Sequence, residues 1–190
     1  MGRINIPTLL GNICDTTNCQ ESGCINWQSL MSNSIHIRID GKAITDQTIP
    51  KCDCLILYSP THPDYTWVTF IEVKATNPSR TEVKRQLQTC LDEYNEFISQ
   101  LQQPPPTQAQ LTTMLLPSLR NNARLVALIS KTIQHIFKRK TRIVPVLYAL
   151  NNVSRMKRTG YSRDFRLSNN QRILFMECKQ DLKALFDTIT

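Results

Sequence analysis

The chain has 190 residues, of which 41% are hydrophobic and 20% charged, and its formal net charge is +8. These values are ordinary for a globular chain that is long enough for a real core. No run approaches the roughly 18 uninterrupted apolar residues of a membrane-spanning helix, so no membrane span and no membrane partner are expected. One domain over residues 1–190 is the default organisation.

The N-terminus and the cysteines favour a cytoplasmic protein. The first residues lack the charged-then-apolar design of a signal peptide, and Ile6 stands where a myristoylation signal needs Ser or Thr. Seven cysteines, an odd number, favour reduced thiols over a disulfide framework. Cys14, Cys19 and Cys24 recur with four residues between neighbours. They are either unligated thiols, which we expect, or part of a metal site whose fourth ligand comes from elsewhere.

The first half of the chain predicts three strands. A short helix over residues 21–31 precedes them. Residues 35–40 alternate apolar and polar side chains, so a half-buried strand is expected, with His36 and Arg38 facing away from the core. Residues 52–58 and 67–75 are apolar and β-branched, which is typical of strands. Because turns join the three segments, they predict an antiparallel meander.

The second half predicts a crossover. Residues 79–102 have helical periodicity, and Ser79-x-x-Glu82 has the form of a capping box. After a proline-rich connector, residues 124–130 are interpreted as a fourth strand, parallel to an earlier one, and residues 133–137 as a short helix. Residues 143–150 predict a fifth strand, at an edge or with a bulge because of Pro145. Residues 172–178 and 180–189 predict a last strand and a closing helix.

An acid and an amine interrupt the third predicted strand. Residues two apart on a strand share a face, so Glu72 and Lys74 point the same way. Charged groups are costly to desolvate on a buried strand unless they have a partner or a function. Asp53 begins the preceding strand. This pattern is typical of a metal-dependent phosphodiesterase site, and the alternative is a cross-strand ion pair with Asp53 at a sheet end.

Asp53 followed by Glu72-x-Lys74, in a strand-strand-strand-helix-strand order, resembles the PD-(D/E)xK nuclease superfamily, which includes restriction endonucleases. The resemblance covers about residues 20–130. It departs at the first dipeptide, where Cys52 occupies the proline position and Pro50 lies three residues before Asp53. It implies an α/β, restriction-endonuclease-like core: a mixed central sheet, made of an antiparallel meander plus a crossover strand and flanked by helices. Residues 131–190 would form a basic C-terminal extension of the sheet.

The resemblance also implies the chemistry. Asp53 and Glu72 would hold Mg²⁺ or Mn²⁺, and Lys74 would orient or deprotonate the attacking water, helped by a pKa lowered by burial and metal charge. Glu21 on the first core helix is a further candidate metal ligand, or else a plain surface glutamate. Gln86 on the long helix is a candidate catalytic residue, or else a polar residue at the edge of a helix face. The RecB-like branch shows Gln-x-x-x-Tyr here, whereas Gln86 is followed four residues later by Cys90.

Positive charge is concentrated in the C-terminal third. Residues 120–172 contain thirteen Lys and Arg against one Asp, a net +12, and the rest of the chain carries −4. This segregation favours a surface that binds a polyanion over a merely solvated face. The candidate nucleic-acid-binding residues are the cations of one loop: Arg155, Lys157, Arg158, Arg163 and Arg166.

The sequence therefore predicts a magnesium-dependent nuclease whose partner is nucleic acid, DNA rather than RNA; a homodimer is left open. Three alternatives remain. One is a non-catalytic nucleic-acid-binding module with a nuclease-like fold, and another is a protein whose basic face binds an acidic partner. The third is a small-molecule enzyme, for which the sequence offers no Gly-rich phosphate loop, nucleophile elbow or His–Cys pairing.

Overall fold

The computed structural model describes residues 4–14, 24–26, 28–30, 32–39, 48–61, 64–74, 79–101, 104–149 and 165–189. In chain order the elements are α1 (Ile6–Leu10), β1 (Ile13–Cys14), a 3₁₀ turn (Gln28–Leu30), β2 (Ser34–Arg38), β3 (Cys54–Tyr58), β4 (Thr66–Lys74), α2 (Arg80–Gln100), α3 (Gln108–Met114), α4 (Pro117–Arg120), α5 (Ala123–Phe137), β5 (Thr141–Ala149), β6 (Leu174–Glu177) and α6 (Leu182–Ile189). None of these helices is long and apolar enough to cross a membrane.

The strands form one mixed sheet in sequential order from β1 to β6. Strands β1 to β4 are successively antiparallel, whereas β5 is parallel to β4 and β6 is parallel to β5. Helices α2 to α5 lie in the connection between β4 and β5, as a parallel pair requires. The α/β class, with a meander and a crossover in a mixed sheet flanked by helices, is confirmed.

The predicted strand at residues 124–130 is wrong, because this segment lies in α5. Its buried residues Val126, Ile129, Ile133 and Ile136 recur at three and four residues, the period of a helix. The Asn122 side chain caps the helix by accepting the Leu125 N–H at 3.0 Å. The short helix predicted at residues 133–137 is the C-terminal end of this same helix. The crossover strand is instead β5.

The predicted edge position of β5 is also wrong. The strand pairs with β4 on one side and with β6 on the other, and its register with β4 runs without a bulge. Pro145 is tolerated because pairing with β6 begins one residue later, at Val146. The backbone N–H and C=O groups of Ile143 and Pro145 point to the same edge of β5, because residues two apart on a strand alternate together. At this edge the Ile143 carbonyl accepts a hydrogen bond from Gln171 Nε2 rather than from β6. The missing proline N–H therefore falls where the β6 ladder has not yet begun.

Both faces of β4 are covered. Val68 and Phe70 face the α2 side, where Phe70 packs edge-to-face on Tyr94 with ring centroids 5.7 Å apart. Trp67 faces the α6 side and stacks on Phe186 at 5.0 Å. This double burial explains the almost uninterrupted apolar run of β4. By the alternation of strand side chains, Glu72 lies on the face of Phe70.

Double coverage also corrects the prediction for β2. Arg38 is exposed, as expected, but His36 is buried. His36 is paired with Cys14 of β1 and with Ile56 of β3, so it occupies an interior position of the sheet. Ile56 belongs to the core cluster on the α6 side, which the alternating pattern of β2 alone did not indicate.

The other predicted elements agree with the structure in place and type, except for the helix at residues 21–31. The long helix is α2, and Ser79 Oγ accepts the Glu82 N–H at 3.4 Å. This contact is one half of the predicted capping box. Strand β6 and helix α6 lie within the last two predicted segments. Of the helix predicted at residues 21–31, the described part contains only the 3₁₀ turn.

Candidate active site

Asp53 and Glu72 occupy neighbouring positions where β3 begins and β4 approaches its end. The last residue pair of this ladder is Cys54 with Ile71, and extending the register by one residue places Asp53 across from Glu72. The Asp53 N–H donates to the Ile71 carbonyl at 3.0 Å, and Asp53 Oδ2 accepts the Val73 N–H at 2.6 Å. The backbone of β4 thus fixes the Asp53 carboxylate beside the Glu72 position.

Glu72 is completely buried and forms an ion pair with Lys74. Glu72 Oε1 lies 2.7 Å from Lys74 Nζ, so the prediction that the two side chains share a face is confirmed. The same ammonium lies 3.3 Å from Oε1 of Glu82, in the first turn of α2. Lys74 therefore joins the end of β4 to the beginning of the long helix.

The pKa of Lys74 differs from the sequence-based expectation. Burial lowers this pKa, but the hydrogen bond and negative charge of Glu72, reinforced by Glu82, outweigh burial. The net result is a pKa above the ordinary value of lysine, not below it. In the protein alone Lys74 is a cation, suited to orienting water or phosphate rather than to removing a proton.

Gln86 lies one helical turn after Glu82 and reaches the chain segment that leads into β3. Its Nε2 donates to the Lys51 carbonyl at 3.1 Å. Its Oε1 is buried and finds no hydrogen-bond partner within the described part of the chain. A second tie links the same elements, because the Cys52 N–H contacts Cys90 Sγ of α2 at 3.1 Å. Helix α2 therefore positions the Asp53 segment as well as contributing Gln86.

The oxygen atoms at this site are of the kind that hard cations prefer. Mg²⁺ is commonly bound by one or two carboxylates and otherwise by water and substrate phosphate, which Asp53 and Glu72 match. Lys74 contacts Glu72 Oε1, so a cation would use the other carboxylate oxygens or displace the ammonium. In the described ranges, no three His, Cys, Asp or Glu side chains form a group that could hold a metal ion. The donor set is thus limited to two carboxylates there.

Several predicted residues lie outside the described residues: Glu21, Cys19, Arg155, Lys157, Arg158 and Arg163. Of the predicted nucleic-acid-binding residues, Arg166 is described; it is exposed, and its Nη1 donates to the Asn170 carbonyl at 2.8 Å. Cys24 is a buried thiol, and burial together with the neighbouring Cys178 raises its pKa to about 12. That the N-terminal cysteines are unligated thiols stays a prediction, with a metal site as the alternative.

Sequence reasoning missed a second polar cluster, at the opposite end of β4. Asp64 Oδ1 lies 2.7 Å from His135 Nε2, and Thr66 Oγ1 lies 3.3 Å from His135 Nδ1. Ser59 Oγ continues the network, at 2.7 Å from Thr66 and 3.0 Å from Thr132. The three hydroxyl residues are buried, so the cluster connects α5 to β4 instead of facing a substrate. Its members span more than seventy residues, and no local pattern unites them.

Lys74→Met is expected to lower the free energy of unfolding by about 2 kcal/mol at pH 7. Removing one partner of a buried ion pair typically costs about 3–5 kcal/mol, and the partial exposure of Lys74 reduces this cost. The double variant Glu72→Gln/Lys74→Met should recover most of the lost free energy of unfolding, because it leaves no buried carboxylate without its cation. Urea unfolding of both variants measures this difference. Equal stability of Lys74→Met and the unmodified protein would contradict the importance of this pair.

Comparison with known proteins does not assign a function to the candidate site. The chain matches no family model, no curated protein and no solved structure. Any assignment therefore depends on the arrangement of Asp53, Glu72, Lys74 and Gln86 and on the charge of the surrounding surface.

Proposed function

We propose that the chain is a metal-dependent nuclease that hydrolyses phosphodiester bonds of nucleic acid, DNA in preference to RNA. In this proposal β2 to β5 and α2 form a restriction-endonuclease-like core. The observation that carries it is the convergence of Asp53, Glu72 and Lys74 at the ends of two neighbouring strands. Gln86 reaches the same place from α2.

In the proposed mechanism Asp53 and Glu72 hold Mg²⁺ or Mn²⁺. Such an ion supplies Lewis acidity toward a phosphate oxygen and lowers the pKa of bound water. The Asp53 carboxylate is aligned for this role by the Val73 N–H. Lys74, as an ammonium, attracts the phosphate and orients the attacking water, and Gln86 Oε1 accepts a hydrogen bond from that water. Glu82 keeps the ammonium near Glu72 until substrate competes for it.

A second candidate function is a nucleic-acid-binding module without catalysis. The complete burial of Glu72 and its close contact with Lys74 favour this alternative, because they are also the properties of a structural ion pair. Such a module would keep the basic surface and bind nucleic acid without cleaving it.

One cleavage assay distinguishes the two candidate functions. Fluorescently labelled single-stranded and duplex DNA and RNA would be incubated with purified protein in Mg²⁺, Mn²⁺, Ca²⁺ or EDTA. We expect cleavage of DNA with Mg²⁺ or Mn²⁺, none with EDTA, and little with Ca²⁺, whose looser coordination positions water less well. Binding without cleavage in every condition would contradict the nuclease proposal and support the binding module.

A further inference from the structure

A basic groove lies between the N-terminal half of α2 and the chain segment that follows residue 165. Its volume is about 570 Å³. It is lined by Arg80, Thr81, Lys84, Arg85, Gln88, Phe165, Arg166 and Ser168. Four of these side chains are cationic, and no acid is among the described residues that line it. We refer to it as the α2 groove.

The wall opposite α2 is fixed by hydrogen bonds. Ile173 N–H donates to the Phe165 carbonyl at 2.9 Å, and Leu167 N–H donates to the Gln171 carbonyl at 2.8 Å. The resulting short hairpin is attached to α2, because the Ser168 N–H donates to Gln88 Oε1 at 2.7 Å. Phe165 and Leu167 are buried beneath it. Hydrogen bonds therefore hold both walls of the groove, α2 and the hairpin, in fixed positions.

The cations are spaced for a chain of phosphates. Arg80 and Lys84 are one helical turn apart, about 6 Å along the axis, which is comparable with the spacing of phosphates along one strand. The Arg80 guanidinium centre lies 5.3 Å from the Phe165 ring centroid. This cation–π contact ties the side chain of α2 to the opposite wall of the groove. Arg166 stands on the opposite wall, and the positive end of the α2 dipole adds to the field.

The cations of the groove come from two distant parts of the chain. Lys84 and Arg85 are exposed on α2, and Arg166 brings a further cation from the opposite wall. Among the described residues that line the groove, positive charge is therefore concentrated, which favours a polyanion as the ligand.

We propose that the α2 groove binds the sugar–phosphate backbone of nucleic acid, on the flank of the segment that is cleaved. This inference rests on the proposed nuclease function. Glu82 and Gln86 lie on one flank of α2, Arg80 and Lys84 on the other, and Arg85 is exposed between them. A helix is about 10–12 Å across. A nucleic-acid strand that crosses the first turns of α2 therefore reaches from the groove to Lys74 within a few nucleotides.

The test is nucleic-acid binding by Lys84→Ala/Arg85→Ala, measured in EDTA by fluorescence anisotropy with a labelled 20-nucleotide single strand. Both side chains are exposed, so the variant is expected to fold, which its circular dichroism and urea unfolding would verify. Losing two phosphate contacts should weaken binding about 20-fold at 0.1 M salt and reduce the slope of log K against log salt by about 1.4. The matched control, called the α5 control, is Arg124→Ala/Lys138→Ala, which removes two exposed cations: Arg124 in the first turn of α5 and Lys138 directly after its last residue.

Three outcomes would overturn the groove proposal. They are unchanged binding in the α2 variant, an equal loss in the α5 control, and a poly-glutamate peptide that binds as tightly with the same dependence on Lys84 and Arg85. The last outcome would indicate an acidic protein partner. Because binding is measured without divalent ions, groove-dependent binding by a protein that never cleaves would contradict the nuclease proposal and leave the groove proposal standing.

Discussion

Glu72→Gln and Asp53→Asn should each reduce metal-dependent cleavage of DNA by about 10³-fold or more. Each substitution removes one of the two carboxylates that we propose as metal ligands. A bound metal ion contributes several kcal/mol to stabilising the transition state, and each 1.4 kcal/mol corresponds to about tenfold in rate. The amides preserve side-chain size, and in Asp53→Asn the amide oxygen still accepts the Val73 N–H. The measurement is kcat/KM on a labelled duplex with saturating Mg²⁺.

Binding in EDTA should survive both substitutions, because it depends on the basic surface and because loss of a carboxylate reduces repulsion of phosphate. Glu96→Gln is the matched control: it removes one exposed acid from α2, far along the helix from Lys74, and should leave cleavage unchanged. Lys74→Met should abolish turnover but not metal binding, measured by calorimetry. Cleavage that persists in Glu72→Gln, or without any divalent ion, would reduce the Glu72–Lys74 contact to a structural ion pair.

The parts of the fold that the sequence predicted are those with local signals. The three antiparallel strands follow from apolar runs separated by turns, and α2 follows from its periodicity and from Ser79. The error in α5 has a definite cause: the run at residues 124–130 is short and almost continuously apolar, and such a run does not distinguish a buried strand from a helix. The 3–4 spacing that continues to Ile136, together with Asn122, was the signal for a helix.

The remaining errors in the fold depend on tertiary structure. Pro145 is compatible with an interior strand because the pairing of β5 with β6 begins one residue later, at Val146. The sequence around Pro145 does not indicate where this pairing begins. His36 is buried because neighbouring strands and a second layer cover its face of the sheet. An alternating pattern is the same whether that face meets water or another layer.

The candidate site also has features that the sequence predicted and features that depend on tertiary contacts. The convergence of Asp53, Glu72 and Lys74 follows from strand alternation and from the antiparallel order of β3 and β4. The raised pKa of Lys74 does not, because it results from the 2.7 Å contact with Glu72 and the added contact with Glu82. The α2 groove also lacked a signal. Its two walls are about eighty residues apart in the sequence, and tertiary contacts such as Gln88 with Ser168 and Arg80 with Phe165 bring them together.

Acidification from pH 6.5 to pH 4 should destabilise the protein by about 3 kcal/mol through His36 alone. Burial lowers the pKa of His36 from 6.5 to about 4, and its Nε2 lies 2.8 Å from Ser34 Oγ. The folded state therefore keeps the ring neutral, while the unfolded chain binds a proton as the pH falls below 6.5. Because the unfolded state binds more protons in this window, the free energy of unfolding falls by about 1.4 kcal/mol per pH unit. Below pH 4 the folded state is protonated as well, and the loss from this residue levels off.

The comparison that isolates this effect is urea unfolding of the unmodified protein and of His36→Gln between pH 7 and pH 4. Glutamine does not titrate and retains an amide that can contact Ser34, so the variant should lose much less stability across this window, whatever its stability at pH 7. His135, whose pKa burial also lowers despite the opposing charge of Asp64, contributes equally to both proteins and cancels in the difference. Parallel pH profiles of the two proteins would show that His36 titrates normally in the folded state, and its imidazole would then have to be accessible to water.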